Sequence, residues 1–258
     1  MNELYQYIRY RFQEHFDVPE EVFLDAFQEY QDLPCFGIHE NIHEIQAKSN
    51  AKISEYAHFI MRTATQYHLE NAFRAMKIDM DDPNVAGPKG TPYRIVKTWT
   101  GASLDDDTEL MSGRWMKEPR IALFENKDGK KDPIFVVTDL SAVCSHHAIR
   151  FGTDYSDSNS FAVVGYIPED QVLGISKINR FVRWVSTRGW LQEDLTKTIG
   201  EKISRISDSK SVYVALFNMK HGCASYRGAK DTQAATTTVY KTGRFEEESN
   251  LVPLKYQG

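Results

Sequence analysis

Residues 161–206 read FAVVGYIPEDQVLGISKINRFVRWVSTRGWLQEDLTKTIGEKISRI, and the fold is decided here. Phe161-Ala-Val-Val-Gly-Tyr-Ile167 is β-branched and aromatic, the composition of a strand. Ile178, Phe181, Val182 and Val185 then recur at helical steps. After the break at Gly189, Leu195, Ile199, Ile203 and Ile206 mark a second amphipathic helix. Outward from this helix pair, Ile134–Leu140 reads as an earlier strand, and Val212–Phe217 and Thr236–Tyr240 as later ones. The order β-β-α-α-β-β implies an α+β fold, a four-stranded antiparallel sheet with the helix pair on one face.

Upstream the texture is helical. Ile53, Tyr56, Ile60, Ala64 and Tyr67 recur at steps of three and four, and Ala72, Phe73 and Met76 continue the stripe. Leu33-Pro34 and Phe36-Gly37 separate this helix from an earlier aromatic-rich stretch, Tyr5 to Tyr30. Breakers gather at Asp81-Asp82-Pro83, Gly87-Pro88 and Gly90-Thr91-Pro92. They divide a leading helical segment, 1–88, from a following domain, 89–258. Gly101–Lys117, with Asp105-Asp106-Asp107, and Gly152–Ser160 read as solvated inserted loops.

The 258 residues carry 31 basic and 36 acidic side chains, a net charge of −5. That balance disfavours a sequence-independent grip on nucleic acid. Apolar residues make up 41%, enough for a sizeable core, yet no run approaches a membrane span. The polar start MNELYQYIRYRFQEHF has no apolar leader, so a cytoplasmic protein is expected, without membrane or nucleic-acid partners. Cys35, Cys144 and Cys223 are too few and too scattered for a disulfide framework, which leaves thiols for metal.

Cys144-Ser-His-His147 follows the first strand, and a cysteine and a histidine three apart can clasp one ion from a tight turn. His221-Gly-Cys223 closes a strand, where positions two apart project from one face. Two thiolates and one imidazole suit zinc and leave a fourth vertex for water. A spare histidine would instead close a structural site, and two buried thiols with satisfied histidines are the plain alternative.

Ser176-Lys-Ile-Asn-Arg180 opens the first helix of the pair. Ser176 is the N-cap candidate, and Lys177 and Arg180 share a face beside the positive dipole end, as a phosphate cradle would require. Arg94, Lys97 and Arg227 are further candidate anion contacts, or else solvated cations. Gln192-Glu193 begins the second helix. A carboxylate there either complements the dipole or accepts the paired N–H donors of guanine, which adenine lacks.

Taken together, Thr91-Pro-Tyr-Arg-Ile-Val-Lys97, Cys144-Ser-His-His147, Gly165-Tyr-Ile-Pro168, Leu173-Gly-Ile-Ser-Lys-Ile-Asn-Arg180, Leu191-Gln-Glu-Asp-Leu-Thr196 and His221-Gly-Cys-Ala-Ser-Tyr-Arg-Gly228, followed by Ala235-Thr-Thr-Thr238 and Gly243-Arg-Phe245, resemble zinc-dependent GTP cyclohydrolase I. The resemblance implies conversion of GTP and water to formate and 7,8-dihydroneopterin triphosphate, which begins folate, pterin or 7-deazapurine synthesis. It makes Cys144, His147 and Cys223 the zinc ligands, the ion activating water for attack on C8 of the purine. His221 then protonates the imidazole nitrogen of the substrate, and His146 with Ser176 assists at the ribose. Glu193, with the backbone around Gln192, anchors guanine. Arg94, Lys97, Lys177, Arg180 and Arg227 bind the triphosphate.

The same resemblance implies the tunnelling fold, in which subunits pool their sheets in a barrel, here a homodecamer of two stacked pentamers with shared active sites. Ser145 departs from the usual Glu, Asp194 from the usual Arg and Tyr93 from a common His, and residues 1–45 have no counterpart. These departures raise two other expectations: a non-catalytic nucleotide- or pterin-binding assembly, or the same fold acting on a related purine nucleotide.

Overall fold

The computed structural model describes residues 2–33, 53–104, 110–114 and 118–257. Cys35 and Asp105–Asp107 lie outside the described residues. The chain forms two compact units that divide at 117/118.

In the first unit the aromatic-rich stretch is two helices, α1 (Glu3–His15) and α2 (Glu20–Asp32), parted at Phe16–Pro19. The Asn2 side chain caps α1 by accepting from the Leu4 N–H at 3.2 Å. Helix α3 (Glu55–Ala75) is capped by Ser54, whose hydroxyl accepts from the Ala57 N–H at 3.1 Å. Glu29 fixes that cap, accepting from the Ser54 N–H at 2.7 Å and from its hydroxyl at 2.5 Å. Ile8, Phe12, Phe23, Ala26, Ile60 and Ala64 form the core. The expected apolar stripe on α3 fades toward its end, where Ala72 and Met76 are exposed because little packs over that last turn. Helix α4 (Thr91–Thr100), with Pro92 in its first turn, packs on α3. The breakers at 81–92 therefore separate two helices of one unit.

The second unit has the expected α+β architecture. Strands β2 (Ile134–Thr138), β5 (Phe161–Tyr166), β8 (Val212–His221) and β9 (Ala235–Lys241) run antiparallel in the order β2-β5-β8-β9. Helices α5 (Ile175–Ser186) and α6 (Gln192–Ser207) bury Ile178, Phe181, Val182, Leu195, Ile199 and Ile203. Along β5, Val163 faces one side and Val164 the other, and both are fully buried, so the sheet has two covered faces. The second cover, unforeseen from the sequence, is the C-terminal segment: Phe245 and Val252 join Val163, Tyr213, Ala215 and Phe217 in one cluster. The Tyr213 hydroxyl donates to the Tyr256 carbonyl and pins that segment down.

The sheet is larger and less regular than the expected four strands. The first strand stops at Thr138, and the chain re-enters as β3 (Ser141–Cys144), which pairs with β4 (Arg150–Gly152). Strand β4 pairs with the far end of β8, and β7 (Gly189–Trp190) joins β3 in parallel, making the sheet mixed. A separate ribbon pairs β1 (Leu123–Glu125) with β6 (Gln171–Leu173). Ser176 is not the cap of α5. Gly174 takes that place, its carbonyl accepting from the Lys177 and Ile178 N–H groups, and Ser176 lies inside the helix. Among the described residues no helix is long and apolar enough to cross a membrane.

Two stability tests follow from the packing. Helix α6 approaches β9 so closely at Gly200 that a Cβ there would lie 2.1 Å from the Tyr240 ring. Gly200→Ala is expected to lower stability by about 1–3 kcal/mol in urea denaturation, and an unchanged midpoint refutes the close approach. In the first unit His58 is 1% exposed. Burial, aided by Arg62 and opposed by a hydrogen bond to the Thr100 backbone, pushes its pKa from 6.5 down to about 4. Within that window the unfolded chain binds a proton that the folded unit refuses, so stability falls as pH drops through it, by up to about 3 kcal/mol. Full-chain urea titrations are expected to show this acid slope, reduced in His58→Leu; identical slopes refute the assignment.

Candidate metal centre and active site

Cys144 ends β3, and the chain turns back at once. The Cys144 N–H donates to Ile149 O at 2.8 Å, while the N–H groups of His147 and Ala148 donate to Cys144 O at 3.2 and 2.9 Å. Ala148 takes a left-handed φ of 52° to complete the turn. The Ser145 N–H, donating to Trp190 O at 3.1 Å, ties the turn to β7. Ser145 thus contributes through its backbone where a longer side chain was expected.

The other half arrives from β8. That strand ends at His221, and Cys223 lies on a short helical turn, α7 (Gly222–Ser225), rather than on the strand as its spacing suggested. Gly222 permits the approach: a Cβ there would lie 2.4 Å from Ile149 Cγ2 and 3.0 Å from Arg150 O. The turn swings Cys223 toward Cys144 and parts it from His221, so these two neighbours serve different tasks.

The ligand atoms of Cys144, His147 and Cys223 all lie within 4.8 Å of one another. Cys144 Sγ is 3.5 Å from His147 Nδ1. A tetrahedral zinc with bonds of about 2.3 Å to sulfur and about 2.0–2.1 Å to nitrogen would hold such a pair about 3.6 Å apart, so the donors fit the ion. Cys144 is buried, Cys223 half-buried and His147 exposed, which leaves an open side. Burial first, and the Cys144 thiol second, push the Cys223 thiol up. A divalent cation held by these residues would reverse that balance, since a coordinating thiol is deprotonated.

His221 stands beside this group without joining it. Its ring stacks on Phe151 with centroids 4.7 Å apart and planes at 4°. Its Nε2 is 2.7 Å from Gln192 Oε1. Burial pushes the His221 pKa down, opposed by the Glu193 carboxylate, so the neutral ring is favoured. His146 is exposed, its ring edge-on to that of His147 at 6.1 Å.

Gln192 and Glu193 open α6, the first with its side chain buried and the second exposed. Lys177 and Arg180 lie on α5, Arg227 follows α7, and Arg94 and Lys97 lie on α4 of the first unit. Among the described residues none of these five cations has an ion-pair partner, unlike Lys131, Lys197 or Arg244. Sequence reasoning gave no role to Phe151, Thr196, Thr236 or Thr238, all of which touch the His221–Gln192 pair or its supports. The alternate spacing of Thr236 and Thr238 on a strand was the available signal.

Two thiols and an imidazole gathered on a mixed sheet, beside a separately held histidine, define an α+β protein with a donor group able to hold a metal ion. The comparisons give the lineage. The GTP cyclohydrolase I family profile matches residues 68–255. GTP cyclohydrolase 1 of Yersinia enterocolitica is 32% identical over 192 residues, covering 73% of this chain and 79% of that one. The Erwinia tasmaniensis protein of the same name is 32% identical over 186 residues, 71% and 76% of the two chains. The apo structure of the archaeosine synthase QueF-Like overlaps with a TM-score of 0.32 at 21% identity, covering 43% of this chain and 94% of that one. The chain belongs to the GTP cyclohydrolase I family and is an enzyme.

Cys144→Ser and Cys223→Ser are each expected to reduce bound metal to background in elemental analysis of folded protein, whereas Ser176→Ala retains it. Equal metal in the cysteine variants and the parent refutes the ligand set.

Proposed function

We propose that this chain is a zinc-dependent GTP cyclohydrolase, which hydrolytically opens the guanine imidazole ring to give formate and 7,8-dihydroneopterin triphosphate. The observation that carries this reading is the convergence of Cys144, His147 and Cys223, with His221 held next to them by a different partner. Bound by those three residues, zinc supplies the Lewis acidity that makes water nucleophilic at neutral pH.

The chain's own groups do the rest. His221, buried and neutral at rest, takes up the proton released as water attacks and delivers it to the imidazole nitrogen of the substrate as the ring opens. His146 and Ser176, both exposed, serve the ribose. Glu193 accepts the paired N–H donors of guanine, aided by the backbone around Gln192, whose side chain is engaged elsewhere. Arg94, Lys97, Lys177, Arg180 and Arg227 neutralise the triphosphate, and their lack of ion-pair partners among the described residues suits them to it.

In this reading 89–258 is the catalytic domain of a tunnelling fold and 1–88 an accessory helical segment. The outer edges of β2 and β9 support assembly into a barrel, up to a decamer of two pentamers: each ends the four-strand order, and Val137 and Val239 are 44% and 45% exposed. A net charge of −5 suits a cytoplasmic enzyme working without nucleic acid or membrane, at the first step of a folate, pterin or 7-deazapurine route.

Zinc-loaded protein incubated with GTP is expected to release formate and a product that becomes fluorescent on oxidation; neither product appearing overturns the reading. Glu193→Ala is expected to weaken GTP binding by about 2 kcal/mol, roughly 30-fold, the scale of a charge-assisted hydrogen bond. Unchanged affinity by calorimetry removes Glu193 from the guanine contact.

A further inference from the structure

Gln192 is 3% exposed, and every hydrogen-bonding atom of its side chain is engaged. The direction of each bond follows from chemistry alone. Gln192 Nε2 lies 3.2 Å from the Thr236 carbonyl, which can only accept, so the amide orientation is settled. The second Nε2 proton goes to Thr238 Oγ1 at 3.0 Å. Thr196 Oγ1 lies 2.7 Å from the Gln192 backbone carbonyl and must donate its single proton there. In the 2.7 Å contact between Thr196 and Thr238 the donor is therefore Thr238. Thr238 thus accepts from Gln192 and donates to Thr196.

Gln192 Oε1 is left as an acceptor, taking the Thr236 hydroxyl proton at 2.6 Å. His221 Nε2, 2.7 Å from the same oxygen, can approach it only as an N–H donor. The Phe151 ring, stacked at 4.7 Å, prevents the imidazole from tilting away.

We propose that Thr196, Thr236 and Thr238 are positioning residues which, through the Gln192 amide, hold His221 in a single tautomer, with its proton on Nε2 and its lone pair on Nδ1. None of the three threonines needs to touch substrate. Resting on the reading of His221 as the proton donor, the inference specifies which atom works: a proton taken up at Nδ1 leaves from Nδ1, and Nε2–H stays with Gln192 throughout. The ring ends each cycle in the tautomer in which it began. A ring free to flip would spend part of its time with the proton and the lone pair exchanged.

The test needs two readouts at one fixed pH. The first is the imidazole nitrogen spectrum of metal-loaded protein carrying 15N-histidine, with His221 assigned by the signal lost in His221→Gln. The native ring is expected to show only the Nε2–H tautomer; an Nδ1–H signal, or an equal mixture, overturns the proposal whatever the threonine variants show. The second compares Thr236→Val/Thr238→Val with Thr236→Ser/Thr238→Ser. Removing both hydroxyls is expected to give mixed tautomers and to lower kcat by about tenfold or more while KM for GTP stays within about twofold. The serine pair is expected to restore both. A valine pair with native tautomer and kcat, or a serine pair as impaired as the valine pair, overturns the proposal. The tautomer spectrum decides the network even if GTP proves not to be the substrate, so its failure is distinguishable from failure of the cyclohydrolase reading.

Discussion

Phe151 pairs with His221, and Gly152 with Lys220, where β4 meets the end of β8. On this short antiparallel contact the functional region depends. One side of it leads back through the tight turn to Cys144 and His147, and the other leads directly to Cys223. Neither half carries a complete donor set, so the site exists only when long-range pairing is in place, and that pairing meets its loop-closure cost late. Gly152 makes it possible. Its φ of +147° and the Leu140 carbonyl 2.3 Å from where a Cβ would lie restrict the position to glycine.

The same contact divides labour between two residues almost adjacent in sequence. His221 is turned to Phe151 and Gln192, Cys223 to Cys144, and the change from strand to helical turn at Gly222 separates them. Burial favours the neutral imidazole and the neutral thiol alike, so the folded pocket resists charge until a cation supplies it. A cation bound there would therefore couple metal loading to local order.

Much of this was legible in the sequence, and the exceptions have definite causes. The strands at 134, 161, 212 and 236 and the two amphipathic helices follow from period, because each is long enough to show one. Strands of two to four residues, β3, β4 and β7, are shorter than any pattern that could reveal them. Their identity comes from partners distant in the chain. The grouping of Cys144, His147 and Cys223 was readable from residue type and spacing, whereas the geometry bringing Cys223 into place was misread as strand alternation. Ser176 looked like a cap by composition, but the helix begins a turn contact earlier, at Gly174. Of the threonine network only the alternation of Thr236 and Thr238 was visible, and not what they meet. Which hydroxyl meets Gln192 depends on the β8–β9 register, and that register slips between Leu216 and Met219.

The C-terminal segment carries a consequence for biosynthesis. Phe245, Val252 and Tyr256 lie over strands that all emerge from the ribosome before them. Until they follow, one greasy side of a nearly finished sheet is bare to its surroundings, with Phe135, Phe161 and Phe217 among the residues left uncovered. A nascent chain stalled a few codons short of this cover is the species with most reason to seek a chaperone or to clump with its neighbours on a polysome.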